Sequence, residues 1–172
     1  MAGKPSNSEL ECCYKMQNRI KLIISVALPV MVGGVSGLFT RPEIDGWYKS
    51  IQKPDWQPPN WVFGPVWTLL YILMGIALYL VWTSHSSAIQ KRKAIFYWSL
   101  QLVLNFFWSY IFFSLHRIDL ALAEILLLWL FIVVTIFLFA RNSKPAAWLL
   151  VPYIAWVSFA GILTFTLYQL NK

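Results

Sequence analysis

Five long apolar runs, separated by short polar segments, dominate the 172-residue chain. Each run has about the 20 residues that an α-helix needs to cross the hydrocarbon core of a bilayer. The predicted spans are approximately residues 20–39, 62–82, 94–113, 120–140 and 146–170. A polar N-terminal tail, residues 1–19, precedes them, and a loop rich in proline and tryptophan, residues 40–61, joins the first two. The pattern therefore predicts an all-α integral membrane protein built as a bundle of five transmembrane helices.

Composition supports a membrane location and argues against a nucleic-acid partner. Hydrophobic residues make up 59% of the chain and charged residues only 12%, with a mean hydropathy of +0.60, whereas about a quarter of the residues in soluble domains are charged. The net charge of +7 comes mainly from basic residues beside the apolar runs. There they mark loops and contacts with lipid headgroups, and no basic surface large enough to follow a phosphate backbone remains.

The distribution of basic residues predicts an orientation. Nine of the 14 lysines and arginines fall on the N-terminal side of the membrane: Lys4, Lys15, Arg19, Lys21, Lys91, Arg92, Lys93, Arg141 and Lys144. The other five, Arg41, Lys49, Lys53, Arg117 and Lys172, fall on the opposite side. The positive-inside rule then places the N-terminus inside and the C-terminus outside.

Polar and aromatic residues recur at helical spacing within three of the spans. On the second span they are Trp67, Tyr71, Met74 or Gly75, Leu78 and Trp82; on the third, Gln101, Asn105, Ser109 and Phe112, with Trp108 beside them; on the fifth, Pro152, Trp156, Ala160 and Leu163. Amides and indoles facing lipid would lack hydrogen-bond partners, so these faces are predicted to point into the bundle. Two interpretations stay open: a pocket for a flat apolar ligand, or polar contacts that join helices.

No arrangement typical of an enzyme or a metal site appears in the sequence. His85 and His116 are predicted on opposite sides of the membrane, so they cannot share a metal or a catalytic triad. Cys12 and Cys13 are adjacent and are expected to remain unbridged. Glu124 lies about one turn into the fourth span, where a carboxylate is costly, and it is expected to pair with another group near the membrane surface.

The stretch from Trp47 to Trp82 carries a family resemblance. Its run WY…KPDWQPPNWVFGPVWTLLYILMG resembles the signature of the translocator protein family, also called tryptophan-rich sensory proteins or peripheral benzodiazepine receptors. Three later segments are similar to that family in the same order: QLVLNFFWSYIFF at 101–113, ALAEILLL at 121–128 and PYIAWVSFAGIL at 152–163. Together these matches cover nearly the whole chain after the tail.

The resemblance implies a ligand and a set of binding residues. Members of the family are five-helix membrane proteins, often homodimers, that bind porphyrins, sterols and isoquinoline or benzodiazepine compounds. Protoporphyrin IX or a haem-related tetrapyrrole is thus the expected ligand, membrane lipid and sterol are expected partners, and no obligatory cofactor or metal is implied. The ligand-binding positions carried over by motif are Tyr48, Trp67, Tyr71, Asn105, Trp108, Ser109, Trp156, Ala160 and Leu163.

The leading hypothesis from the sequence is a membrane receptor or sensor, in a bacterial membrane or the mitochondrial outer membrane. One alternative is a transporter of porphyrin or cholesterol, which would predict broken helices, internal repeats or an inward charge path; none is visible in the sequence. The other is light-driven porphyrin degradation that depends on tryptophan. The resemblance would assign that chemistry to Trp67 and Trp156, and no other catalytic residue is predicted.

Overall fold

The computed structural model describes residues 7–172, apart from the side chains of residues 7–10 and 12, and this part of the chain contains helices and no strands. The helices are α1 (Asn7–Asp45), α2 (Trp47–Ser50), α3 (Asn60–Trp82), α4 (Ala88–Ser109), α5 (Ile118–Asn142), α6 (Lys144–Trp148) and α7 (Val151–Leu170). Five segments are long and apolar enough to cross a bilayer: Cys13–Asp45, Asn60–Trp82, Ala88–Ser114, Ile118–Asn142 and Lys144–Leu170. The predicted fold class, a five-helix membrane bundle, is confirmed.

Helix α1 is longer at both ends than the span predicted for residues 20–39. It begins at Asn7, so much of the predicted tail is helical. Residues 1–6 of that tail and the side chain of Cys12 lie outside the described part of the chain. Once a long helix exists, each further residue adds a hydrogen bond without a new nucleation cost, and the sequence before residue 20 contains no glycine or proline after Pro5. At the other end α1 continues to Asp45 and includes Pro29 and Pro42.

The predicted loop of residues 40–61 is correspondingly shorter. It is reduced to a turn before the short helix α2 and an irregular segment, residues 51–59, that holds Pro54, Pro58 and Pro59. These prolines lack the backbone donor that a helix needs. Pro65, however, lies inside α3, so it does not prevent the helix from starting at Asn60.

Two irregularities interrupt the later spans. A π-helical turn, Tyr110–Ser114, ends the third span, and a break at residues 149–150 divides the fifth span into α6 and α7. Pro152 has no N–H and cannot donate to the carbonyl one turn earlier. At the break, Leu150 N–H donates to the carbonyl three residues earlier, that of Ala147, at 3.1 Å. The fifth span, predicted as residues 146–170, therefore consists of two helices.

The helices pack mainly in three pairs, α1 with α3, α4 with α5, and α5 with α7. Helices α1 and α3 approach closely at Gly75: a Cβ atom added there would lie 2.5 Å from Val26 Cα and 2.7 Å from the Ser25 carbonyl oxygen. A cluster of buried side chains from α3, α4, α5 and α7, including Met74, Trp98 and Tyr153, fills the centre of the bundle. A second, smaller cluster of buried side chains includes Tyr48, Phe112 and Leu163.

Candidate ligand cavity

A cavity of about 570 Å³ lies between α1, α3, the π-helical turn and α7. Eight of the nine ligand-binding positions expected from the sequence line it: Tyr48, Trp67, Tyr71, Trp108, Ser109, Trp156, Ala160 and Leu163. The exception is Asn105. Cavities of this size that are lined by aromatic side chains with a few polar groups are typical of small-molecule sites.

Helix α1 supplies the wall of the cavity that the sequence analysis did not anticipate. Its lining residues recur at helical spacing and include Val30, Gly34, Gly37, Arg41 and Ile44. A Cβ atom added to Gly34 or Gly37 would meet no atom within 4 Å, so these glycines leave space for a ligand. Gly33 differs, because a Cβ atom there would overlap the Tyr71 ring. Of these three glycines, Gly33 therefore allows the Tyr71 ring to pack against α1, and the other two add cavity volume.

Aromatic rings on three elements shape the interior of the cavity. Trp67 stacks on Tyr71 with ring centroids 5.5 Å apart, and Trp108 stacks on Phe112 at 5.2 Å with an interplanar angle of 16°. Trp156 meets Phe63 edge-on at 5.8 Å. Offset and edge-to-face arrangements of this kind are the favoured aromatic geometries. They hold the indole faces in fixed orientations around the cavity.

Three buried polar atoms of the lining have no hydrogen-bond partner within the described chain. They are the indole Nε1 atoms of Trp108 and Trp156 and the hydroxyl of Ser36. A buried donor without a partner costs about 1–3 kcal/mol. These nitrogens have almost no accessible surface, so an acceptor of a ligand in the cavity would pair with either indole N–H only after the ring turned toward it.

The two interpretations that the sequence left open apply to different residues of the third span. Tyr71 donates to Asn105 Oδ1 at 2.7 Å, Asn105 Nδ2 donates to the Tyr153 hydroxyl at 3.4 Å, and Tyr153 donates to Gln101 Oε1 at 2.8 Å. This buried chain of bonds joins α3, α4 and α7, so Asn105 and Gln101 connect helices. Asn105 lies behind Tyr71 and positions its ring, whereas Trp108 and Ser109 face the cavity.

Helix α2 closes the end of the cavity nearest the loop. Tyr48 is 5% exposed and packs against Phe112 and Phe113, with ring centroids at 5.9 and 5.7 Å. Burial raises the pKa of the Tyr48 hydroxyl to about 12, so this residue is neutral at physiological pH. Trp47 stacks on His116 at 4.4 Å, and His116 Nε2 contacts Glu43 Oε2 at 3.0 Å. These contacts tie the end of α1 and α2 to the turn before α5.

The proline-rich loop is fastened to the C-terminal end of α7. Gln52 N–H donates to Asn171 Oδ1 and Asn171 Nδ2 donates to the Gln52 carbonyl, both at 2.9 Å. Trp56 packs against Phe159 with ring centroids 5.9 Å apart. Asn171 is a residue that sequence reasoning missed, since nothing in its local pattern indicates a partner 119 positions away. These contacts hold the loop against α7.

Glu124 does not form the pair that the sequence analysis expected. Both of its carboxylate oxygens are buried and have no hydrogen-bond partner in the described chain. Arg117, the nearest basic residue in sequence, is instead bound by Asp119 through two contacts of 2.8 and 2.6 Å. Among the residues described, no group of three or more His, Cys, Asp or Glu side chains could hold a metal ion.

Comparison with known proteins gives a consistent set of relatives. Residues 25–170 match the TspO/MBR family. The chain is 43% identical over 152 residues to tryptophan-rich protein TspO of Chlorobaculum tepidum, covering 88% of this chain and 96% of that protein. It is 36% identical over 148 residues to the translocator protein of Bos taurus, covering 84% and 86%. It is also 36% identical over 136 residues to the tryptophan-rich sensory protein of Cereibacter sphaeroides, covering 79% and 82%.

Proposed function

The chain belongs to the TspO/MBR family of multi-pass integral membrane proteins, and from that premise we propose that it is a receptor or sensor that binds a tetrapyrrole inside the helix bundle. The observation that carries the proposal is the aromatic cavity of about 570 Å³ with its unpartnered indole donors. Protoporphyrin IX is the expected ligand.

The shape of the cavity lining favours a flat, largely apolar molecule. Trp67, Tyr71, Trp108 and Trp156 offer ring faces and edges from three elements, and large aromatic surfaces bind such molecules through apolar contact and stacking. A tetrapyrrole presents a conjugated plane of the same character. Sterols and isoquinoline or benzodiazepine compounds share the apolar body and are proposed as further ligands of the same cavity.

The polar groups of the lining favour a ligand that carries acceptors and negative charge. Trp108 and Trp156 provide buried N–H donors, and Arg41 provides a cation at the part of α1 nearest the loop. The two carboxylates of protoporphyrin IX are suited to such groups, since a guanidinium forms strong hydrogen bonds with a carboxylate. A sterol has one hydroxyl, so it would leave most of these donors without a partner.

Titration of the purified protein with protoporphyrin IX in the dark, followed by porphyrin absorbance, tests the proposal. We expect saturable binding at one site for the unaltered protein. The double change Trp108→Phe and Trp156→Phe keeps the aromatic surface and removes both donors, so affinity is expected to fall roughly tenfold, because each hydrogen bond contributes about 0.5–1.5 kcal/mol.

The matched control is the double change Trp129→Phe and Trp148→Phe. Both indoles are exposed and neither lines the cavity, so affinity should not change. Binding that rises linearly without saturation, or that is equally affected by the two double variants, would show that porphyrin partitions into detergent and would refute the receptor proposal.

A second candidate function is light-driven degradation of the bound porphyrin. It is favoured by one observation, that Trp67 and Trp156 line the same cavity. The double change Trp67→Phe and Trp156→Phe is expected to lower porphyrin affinity by only about threefold, for the one donor lost at Trp156, and to abolish loss of porphyrin absorbance under illumination. Undiminished degradation by this variant, compared with the Trp129 and Trp148 control, would exclude a role for these two indoles.

A further inference from the structure

A second, largely open depression of about 420 Å³ lies on the surface among α1, α3 and α4. It is lined by Lys21 of α1, by Trp82 at the last residue of α3, and by four residues in the first turns of α4, namely Ala88, Lys91, Arg92 and Ile95. We refer to it as the basic pocket. Its lining combines three cations with one indole and two apolar side chains.

The basic pocket is separate from the aromatic cavity. Along α1, Lys21 lies roughly 14 Å from Val30 of the aromatic cavity, and along α3, Trp82 lies roughly 17 Å from Tyr71, given a rise of 1.5 Å per residue. The two cavities share no lining residue. They therefore open at opposite ends of the bundle.

The three cations of the basic pocket have no acidic partner among the described residues. The two ion pairs in that part of the chain, His116 with Glu43 and Arg117 with Asp119, are at the other end of the bundle. Lys91 Nζ donates to the Ser84 carbonyl at 3.1 Å, which holds the ammonium group near the pocket. A concentration of positive charge without carboxylates favours an anion as the ligand.

Apolar surface continues from the basic pocket toward the middle of the membrane. Ile24 is 48% exposed and lies one turn beyond Lys21, and Phe96 is 61% exposed and lies one turn beyond Arg92. Trp82, at the end of its span, occupies the position where indoles favour the membrane interface. A soluble anion would use only the cations, whereas a lipid would use the cations and the apolar surface together.

We propose that the basic pocket binds the headgroup of an anionic phospholipid. Lys21, Lys91 and Arg92 hold its phosphate, and its acyl chains lie against Ile24 and Phe96. Basic pockets between transmembrane helices are suited to this chemistry, because each lysine or arginine near the surface attracts anionic lipid. The lipid would join α1 to α4 on the side of the membrane that the positive-inside rule assigns to the interior.

Native mass spectrometry of the full-length protein in detergent, titrated with phosphatidylglycerol, tests this site. Phosphatidylcholine with the same acyl chains is expected to bind much more weakly. The double change Lys91→Gln and Arg92→Gln is expected to weaken phosphatidylglycerol binding about 30-fold, from about fivefold for each charge removed. The charge-preserving double change Lys91→Arg and Arg92→Lys should retain binding within about threefold.

The matched control is the double change Lys15→Gln and Arg19→Gln, which removes the same charge from exposed positions of α1 outside the pocket. Equal losses in the two neutralised variants, or equal binding of phosphatidylcholine, would overturn the proposal. Displacement of the lipid by millimolar inorganic phosphate would assign the pocket to a soluble anion instead. If the Lys91 and Arg92 variant does not fold, Lys21→Gln on the neighbouring helix must lower affinity about fivefold, and no loss would refute the site.

Discussion

Replacement of Gly37 by phenylalanine is expected to lower the affinity for protoporphyrin IX by about 5- to 150-fold while the protein remains folded. Gly37 lines the aromatic cavity, and a Cβ atom at this position meets no atom within 4 Å. The new side chain can therefore enter the cavity without displacing the bundle. A ligand would then meet an overpacked site, and overpacking costs about 1–3 kcal/mol. Porphyrin titration in the dark measures the effect.

The matched control for this prediction is Gly161→Phe. Gly161 lies inside α7, also has no atom within 4 Å of an added Cβ, and does not line the cavity. The Gly161→Phe variant should therefore bind porphyrin with the affinity of the unaltered protein. If Gly37→Phe keeps the thermal midpoint of the unaltered protein and binds as tightly as the control, the porphyrin does not occupy the aromatic cavity.

Replacement of Gly75 by alanine is expected to destabilise the bundle by about 1–3 kcal/mol. The added methyl group would lie 2.5 Å from Val26 Cα and 2.7 Å from the Ser25 carbonyl oxygen. Both are backbone atoms of α1, so the two helices must move apart to remove the overlap. A side chain in the same place could have moved away by changing its rotamer. Thermal unfolding followed by circular dichroism in detergent measures the loss as a lower midpoint.

Gly161→Ala provides the comparison for the Gly75 substitution. It adds the same methyl group to a helix interior where nothing opposes it, and alanine favours a helix over glycine by up to about 1 kcal/mol. Its midpoint should equal or exceed that of the unaltered protein. Similar midpoints for the two alanine variants would mean that α1 and α3 do not make this contact in the membrane protein.

Helical spacing of aromatic, polar and small residues predicted which helix faces point into the bundle, and the family resemblance supplied the nine ligand-binding positions. Trp67 and Tyr71, and likewise Trp156, Ala160 and Leu163, share a helix face, and hydrogen-bonding groups in the middle of a bilayer favour the interior of the bundle. Family resemblance added Tyr48, which local periodicity could not supply. Helical spacing could not predict that Ser109 lines the cavity and Asn105 does not, since both lie on one face of the third span. The difference arises because Tyr71 packs against Asn105.

Other features depend on contacts between residues far apart in the chain. The roles of Gly33 and Gly37 differ only because the Tyr71 ring occupies the space beside the first and not the second. The bonds between Asn171 and Gln52 fasten the loop across a large sequence separation. Glu124 lacks the expected partner, and Arg117, the nearest basic residue in sequence, is bound by Asp119.

The sequence by itself determined the five spans, their approximate limits and the inward direction of their polar faces, because bilayer thickness and backbone hydrogen bonding impose strict requirements on each segment alone. Only the tertiary structure decided which inward-facing groups form hydrogen bonds with one another and which face the cavity. It likewise brought Lys21, more than 60 residues before Lys91 in the chain, into the basic pocket. Cavities are formed by the separation between helices, and that separation is set by packing contacts such as Gly75 against α1.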